Sequence, residues 1–124
     1  MLTLGNTSTI ALLSLSASLL FGIAEAEAHA SLVKSEPAKN FSGAAPQTIM
    51  LHFDDELVPK VSTFKVTDID GHAVAVTAVD TKDSKALAAT PAKPLAPGLY
   101  TVAWTAASTE DGHKMTGTFS FTVK

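Results

Sequence analysis

From residue 30 onward, apolar side chains recur at alternate positions in short runs: Ile49, Leu51 and Phe53; Tyr100, Val102 and Trp104; Phe119, Phe121 and Val123. Side chains two apart leave a β-strand on the same face, so these sets predict one inward face per strand, with Thr118, Ser120 and Thr122 turned to water. Runs rich in Val, Thr and Phe alternate with Pro, Gly and Asp punctuation, and helical periodicity is hard to find. The pattern predicts strands over Ala30–Lys34, Thr48–Phe53, Thr63–Asp68, Ala73–Val79, Lys85–Ala89, Gly98–Ala107 and Met115–Val123. Seven strands in so short a stretch fit an all-β sandwich. Asp70-Gly71 predicts a tight turn, because glycine tolerates positive φ. Pro91, Pro94 and Pro97 predict a loop before the sixth strand.

The densest apolar block does not belong to this pattern. Ile10 to Ala24 reads IALLSLSASLLFGIA, the length of a signal-peptide core and shorter than the roughly 20 residues of a membrane-spanning helix. Ala26-Glu27-Ala28 then places small side chains one and three residues before a cut after Ala28, with a cut after Ala26 as the competing choice. No Lys or Arg precedes the apolar core, so the terminal amine alone provides the usual positive charge. Residues 1–28 are therefore read as a signal peptide and 29–124 as one exported domain. The mature chain carries nine lysines against ten acids, a balance that argues against nucleic acid as a partner. A chain of this size buries only about two-thirds of its unfolded surface, so it must pack a single compact core. It has no cysteine, which removes disulfides, thiolate metal sites and cysteine nucleophiles.

Cleavage after Ala28 would make His29 the first residue. A free α-amine and the adjacent ring Nδ1 can close a six-membered chelate on one metal, and such an amine loses its proton readily, its reference pKa being about 8. Nitrogen-rich planar coordination suits Cu(II), which also heads the stability order of divalent first-row metals. Asp111 and His113 stand two apart around Gly112; in extended conformation both side chains leave on one side and could clasp an ion between carboxylate and imidazole. The donor set is then the amine and ring of His29, the ring of His113 and an oxygen of Asp111. An Asp-x-His spacing is a weak signal alone and gains specificity beside a histidine exposed by cleavage.

The mature chain resembles the CopC-type periplasmic copper-binding proteins along essentially its whole length. The resemblance rests on His29-Ala30-Ser31-Leu32 followed by Ser35-Glu36-Pro37-Ala38, on Ile49-Met50-Leu51-His52-Phe53, on Pro97-Gly98-Leu99-Tyr100-Thr101-Val102-Ala103-Trp104, and on Ser108-Thr109-Glu110-Asp111-Gly112-His113 leading to Gly117-Thr118-Phe119-Ser120-Phe121-Thr122-Val123. It implies a Greek-key β-sandwich with a Cu(II) site at one end, where His29, Asp111 and His113 fall at the family's ligand positions. It further implies a periplasmic role in copper sequestration, transport or resistance, with an inner-membrane transporter of the CopD type as the expected recipient of the ion; a monomer is expected. Some members carry a second, methionine-rich Cu(I) site mid-chain. Here Thr67-Asp68-Ile69-Asp70-Gly71-His72-Ala73 contains no Met, and soft Cu(I) needs thioethers, so that site is expected to be missing. An acidic residue after Phe53 is associated with the Cu(II) site in relatives; Asp55 matches by position and is expected behind the ligands.

Two other classes compete. An N-terminal His chelate plus another His is also the copper-holding arrangement of polysaccharide-cleaving monooxygenases, but Asp111 would occupy a position such enzymes leave open for oxygen, and aromatic surface is scarce. A metal-free sandwich serving adhesion or assembly is the third. A Ser-His-Asp hydrolase is less credible still, since there is no Gly-x-Ser-x-Gly elbow and the histidines lack a recognisable nucleophile partner. Among the remaining residues, His52 reads as a surface residue and His72 as a turn residue. Met50, Met115 and Trp104 read as packing, and Asp54-Asp55-Glu56 as a solvated turn.

Overall fold

The computed structural model describes residues 29–124, and the signal peptide read over residues 1–28 lies outside the described residues. The strands are β1 (Leu32–Glu36), β2 (Ser42–Gly43), β3 (Ile49–Phe53), β4 (Thr63–Asp68), β5 (Ala73–Val74), β6 (Val76–Val79), β7 (Ala86–Pro91), β8 (Gly98–Ala107) and β9 (Lys114–Val123). They form two sheets, ordered β1-β3-β7-β6 and β2-β9-β8-β4-β5. The chain crosses between layers after β1, β2, β3, β5 and β7, and the expected sandwich is the observed one.

The alternation read from the sequence sets the core. β8 and β9 pair antiparallel from Gly98 opposite Val123 to Ala107 opposite Lys114, which puts Val102 across from Phe119 and Tyr100 across from Phe121 on the inner face. On the other side of β8, Val66 of β4 faces Val102 and Phe64 faces Trp104. Ile49, Leu51 and Phe53 project from the smaller sheet to meet them, and Ile49, Leu51, Val102 and Phe121 are fully buried. Each such side chain contributes about 1.5–3 kcal/mol of hydrophobic stabilisation. Trp104 is only partly buried, its indole edge-on to Phe53 with centroids 5.1 Å apart.

Three local readings change. The run predicted as one strand over Ala73–Val79 is divided: Ala73 and Val74 pair with β4, while Val76–Val79 pair with β7 in the other sheet. Alternation runs on through Ala75, where the chain changes layers, so periodicity alone could not mark the break. Pro91 ends β7 instead of lying in the loop; it stands opposite Val76, beyond Ala89, the last residue of β7 paired to β3. A proline there interrupts no central ladder. The two-residue β2 was not foreseen, and it runs parallel to the end of β9.

The topology fixes two opposite ends. The start of β1, the end of β3, the end of β8 and the start of β9 gather at one. The β4–β5 hairpin lies at the other, beside the start of β8, where Asp68 pairs with Tyr100. Gly71 turns that hairpin at φ +83°, as Asp70-Gly71 predicted. Nearby, the Tyr100 hydroxyl donates to the carbonyl of Ala96 at 2.7 Å and pins the proline-rich loop to β8.

Candidate metal centre

Three segments meet at the first end: the arm 29–31 leading into β1, the stretch 54–58 after β3, and the loop 108–113 between β8 and β9. Ala30 is fully buried in the core, which draws the arm down onto the sandwich. His29 and Asp111 approach with Nδ1 and Oδ2 3.0 Å apart, their side chains 34% and 32% exposed. The His113 ring lies beside that of His29, centroids 4.6 Å apart and planes tilted by 38°. All three residues predicted as ligands therefore converge, from positions as distant in sequence as 29 and 113.

The way Asp111 and His113 come together differs from expectation. They do not lie on an extended strand: Asp111 sits in a turn, Gly112 takes φ +67°, and β9 begins only at Lys114. The Asp111 Oδ1 accepts the backbone N–H of His113 at 2.9 Å, closing an Asx-type turn. That bond holds the Asp111 carboxyl below the usual carboxylate range, assisted by the nearby His29 and His113 and opposed by partial desolvation. The result is an anionic oxygen, Oδ2, facing the imidazole nitrogen of His29.

The supporting residues are acids that read from sequence as a solvated turn. The Asp55 Oδ2 accepts the hydroxyl of Ser108 at 2.8 Å, and Ser108 is fully buried. The same hydroxyl accepts the N–H of Glu110 at 3.1 Å, while the Ser108 carbonyl accepts the N–H of Gly112 at 2.8 Å. Leu57 bridges Ser108, and the Thr109 N–H donates to the carbonyl of Glu56 at 3.0 Å. Asp55 thus holds the base of the loop carrying Asp111 and His113 through Ser108, and bonds neither of those two residues in the hydrogen bonds described. Asp54 and Ser108 escaped the sequence reading, because their partners lie 23 and 53 residues away and no spacing records them.

The other candidates lie elsewhere. His72 is in the hairpin turn at the opposite end, where Asp68 Oδ1 accepts the N–H groups of Asp70 and His72 at 3.0 and 2.9 Å. Among the described residues, Asp68, Asp70 and His72 are the three such side chains whose donor atoms all fall within 4.8 Å of one another. His113 accordingly stands beside the His29–Asp111 pair without closing an equally tight triad. His52, expected at the surface, is half-buried on the outer face of β3, with its Nε2 enclosed. Met115 pairs with Ala106 just inside β9 and is partly buried. No helix among the described residues is long and apolar enough to cross a membrane.

The chain is similar to known proteins over the whole described sandwich. The CopC domain profile matches residues 32–124, a span that includes Asp111 and His113 and begins just after His29. Copper resistance protein C of Pseudomonas syringae pv. tomato is 42% identical over 106 residues, covering 80% of this chain and 83% of that protein. Copper resistance protein C of Xanthomonas campestris pv. juglandis is 38% identical over 108 residues, covering 82% and 84%. Among solved structures, PcoC, a methionine-rich copper resistance protein from Escherichia coli, superposes with a TM-score of 0.70 at 37% identity, over 78% of this chain and 100% of that one. CopC from Methylosinus trichosporium OB3b gives a TM-score of 0.70 at 30% identity, covering 77% and 94%.

Proposed function

Since this chain belongs to the CopC domain family, we propose that it is an exported periplasmic protein that binds one Cu(II) ion for copper sequestration, transfer or resistance. The carrying observation is the convergence of His29 Nδ1 on Asp111 Oδ2 at 3.0 Å with the His113 ring alongside. Cleavage after Ala28 adds the α-amine of His29, completing three nitrogen donors and one oxygen, a set that suits Cu(II). Asp111 is ionised over the whole neutral range and supplies charge to the ion. Asp55 and Ser108 hold the loop that presents it. The ion is cargo, no chemistry on a substrate is required, and a CopD-type membrane transporter is its proposed recipient. With no methionine between Thr67 and Ala73, a separate thioether Cu(I) site is not part of this reading.

N-terminal sequencing of the exported protein, joined to a Cu(II) competition titration read by paramagnetic resonance, tests it. The expected result is a chain starting at His29 with nitrogen hyperfine couplings from imidazole. His113→Ala should lower affinity by orders of magnitude, and one extra residue before His29 should weaken binding sharply by opening the chelate. Unchanged affinity in either, or a first residue other than His29, overturns the assignment.

A further inference from the structure

We propose that Asp54 is a positioning residue for the metal centre: its carboxylate fixes the N-terminal arm so that the donors of His29 stay aimed at Asp111 and His113. The inference rests on the Cu(II) reading above and concerns a residue outside its ligand set. Its basis is a reciprocal contact one residue beyond the β1–β3 ladder. The last paired residues are Leu32 and Phe53. Past them, the Asp54 N–H donates to the Ser31 carbonyl at 3.1 Å, as a further main-chain rung would. The return bond is made differently: the Ser31 N–H donates to the Asp54 side-chain Oδ1 at 2.8 Å.

That substitution of side chain for main chain has a consequence for His29. Both backbone groups of Ser31 are held, yet the arm is released from the pleat of the sheet at that residue. Ala30 then drops into the core, and His29 reaches the 108–113 loop. Only Ala30 separates the anchored Ser31 from the residue whose amine and ring would chelate. Chain ends are otherwise poorly ordered unless tied down, and an untied arm must be ordered at the moment of binding. A hydrogen bond to a carboxylate is among the stronger kinds, although water competes for it at this exposed place.

The test uses protein purified from the periplasm of an expressing bacterium, with Cu(II) alone as probe. Asp54→Ala removes the acceptor, and Asp54→Asn retains an oxygen at the same place. Asp54→Ala should weaken Cu(II) binding by about three- to tenfold, speed hydrogen exchange at the Ser31 amide in metal-free protein, and leave the nitrogen hyperfine pattern of the loaded protein unchanged. Asp54→Asn should restore most of the affinity. If the wild type takes up Cu(II) through nitrogen and Asp54→Ala matches it in affinity while Ser31 exchange rises, the positioning role is overturned and the copper reading stands. An altered hyperfine pattern also overturns it, since Asp54 would then act as a ligand. Absence of nitrogen-coordinated Cu(II) in the wild type overturns both. Should Asp54→Ala fail to fold, Asp54→Asn decides alone: wild-type affinity with protected Ser31 supports the role, and lost affinity with protected Ser31 refutes it.

Discussion

Ser108→Ala removes one oxygen atom from a fully buried residue, and its cost can be worked from the two bonds that oxygen makes. The hydroxyl donates to Asp55 Oδ2 at 2.8 Å and accepts from the Glu110 N–H at 3.1 Å. A hydrogen bond to a charged group contributes about 1.5–3 kcal/mol and a neutral one about 0.5–1.5 kcal/mol. Asp55 is half-buried and Glu110 exposed, so both partners recover some hydration, and a net loss of about 2 kcal/mol follows. For a domain of this size that lowers Tm by about 8–16 °C. Thermal unfolding followed by circular dichroism, with denaturant titration read from the single tryptophan, measures it. A double-mutant cycle with Asp55→Ala isolates the pair, and a coupling of about 1 kcal/mol is expected. A Ser108→Ala protein within about 0.5 kcal/mol of wild type would refute the reasoning, because the buried hydroxyl would then hold nothing that water does not replace.

Three further outcomes are expected. Gly117→Ala should destabilise by about 1–3 kcal/mol and shift the emission of Trp104, since an added Cβ would stand 2.5 Å from the indole Cζ2; unchanged emission and stability would contradict the packing. Tyr100→Phe should cost about 1 kcal/mol in denaturant unfolding through loss of the bond to the Ala96 carbonyl, with Cu(II) affinity unchanged because that corner lies at the far end. Acidification should release Cu(II) as protons take the nitrogen donors, before the carboxylate is protonated. The sign follows from Asp111, whose pKa is lowered in the fold: its stabilising contribution is present above the unfolded value and lost only as pH falls through the lower folded one. Asp111→Asn should accordingly weaken binding across neutral pH while leaving the onset of acid release nearly in place, as read by titration at stepped pH.

Much of this was legible because the core strands alternate cleanly. β4 and β8 were bounded to the residue, and Ile49, Leu51, Val102 and Phe121 point inward as their spacing requires. The layer change at Ala75 was not legible, since a strand that continues and one that crosses to the other sheet share the same period. In the candidate site, the chemistry of His29 and His113 singles them out in the sequence, and the fold brings their rings together. Two-residue spacing alone suggests an extended segment from Asp111 to His113, whereas Asp-Gly is a turn signal and Gly112 does adopt positive φ. Asp54 and Ser108 gave no signal, because a polar residue reveals its partner only once the fold has brought distant segments together.

The arm bearing His29 enters the four-stranded layer through β1, whereas Asp111 and His113 hang from the five-stranded layer between β8 and β9. Metal held by all three would rivet one layer to the other and close residues 29–113 into a non-covalent loop. In a protein without cysteine, the cargo would then do the work of a cross-link. Loaded molecules should outlast empty ones in a protease-rich compartment, so that the lifetime of the carrier itself reports the supply of what it carries.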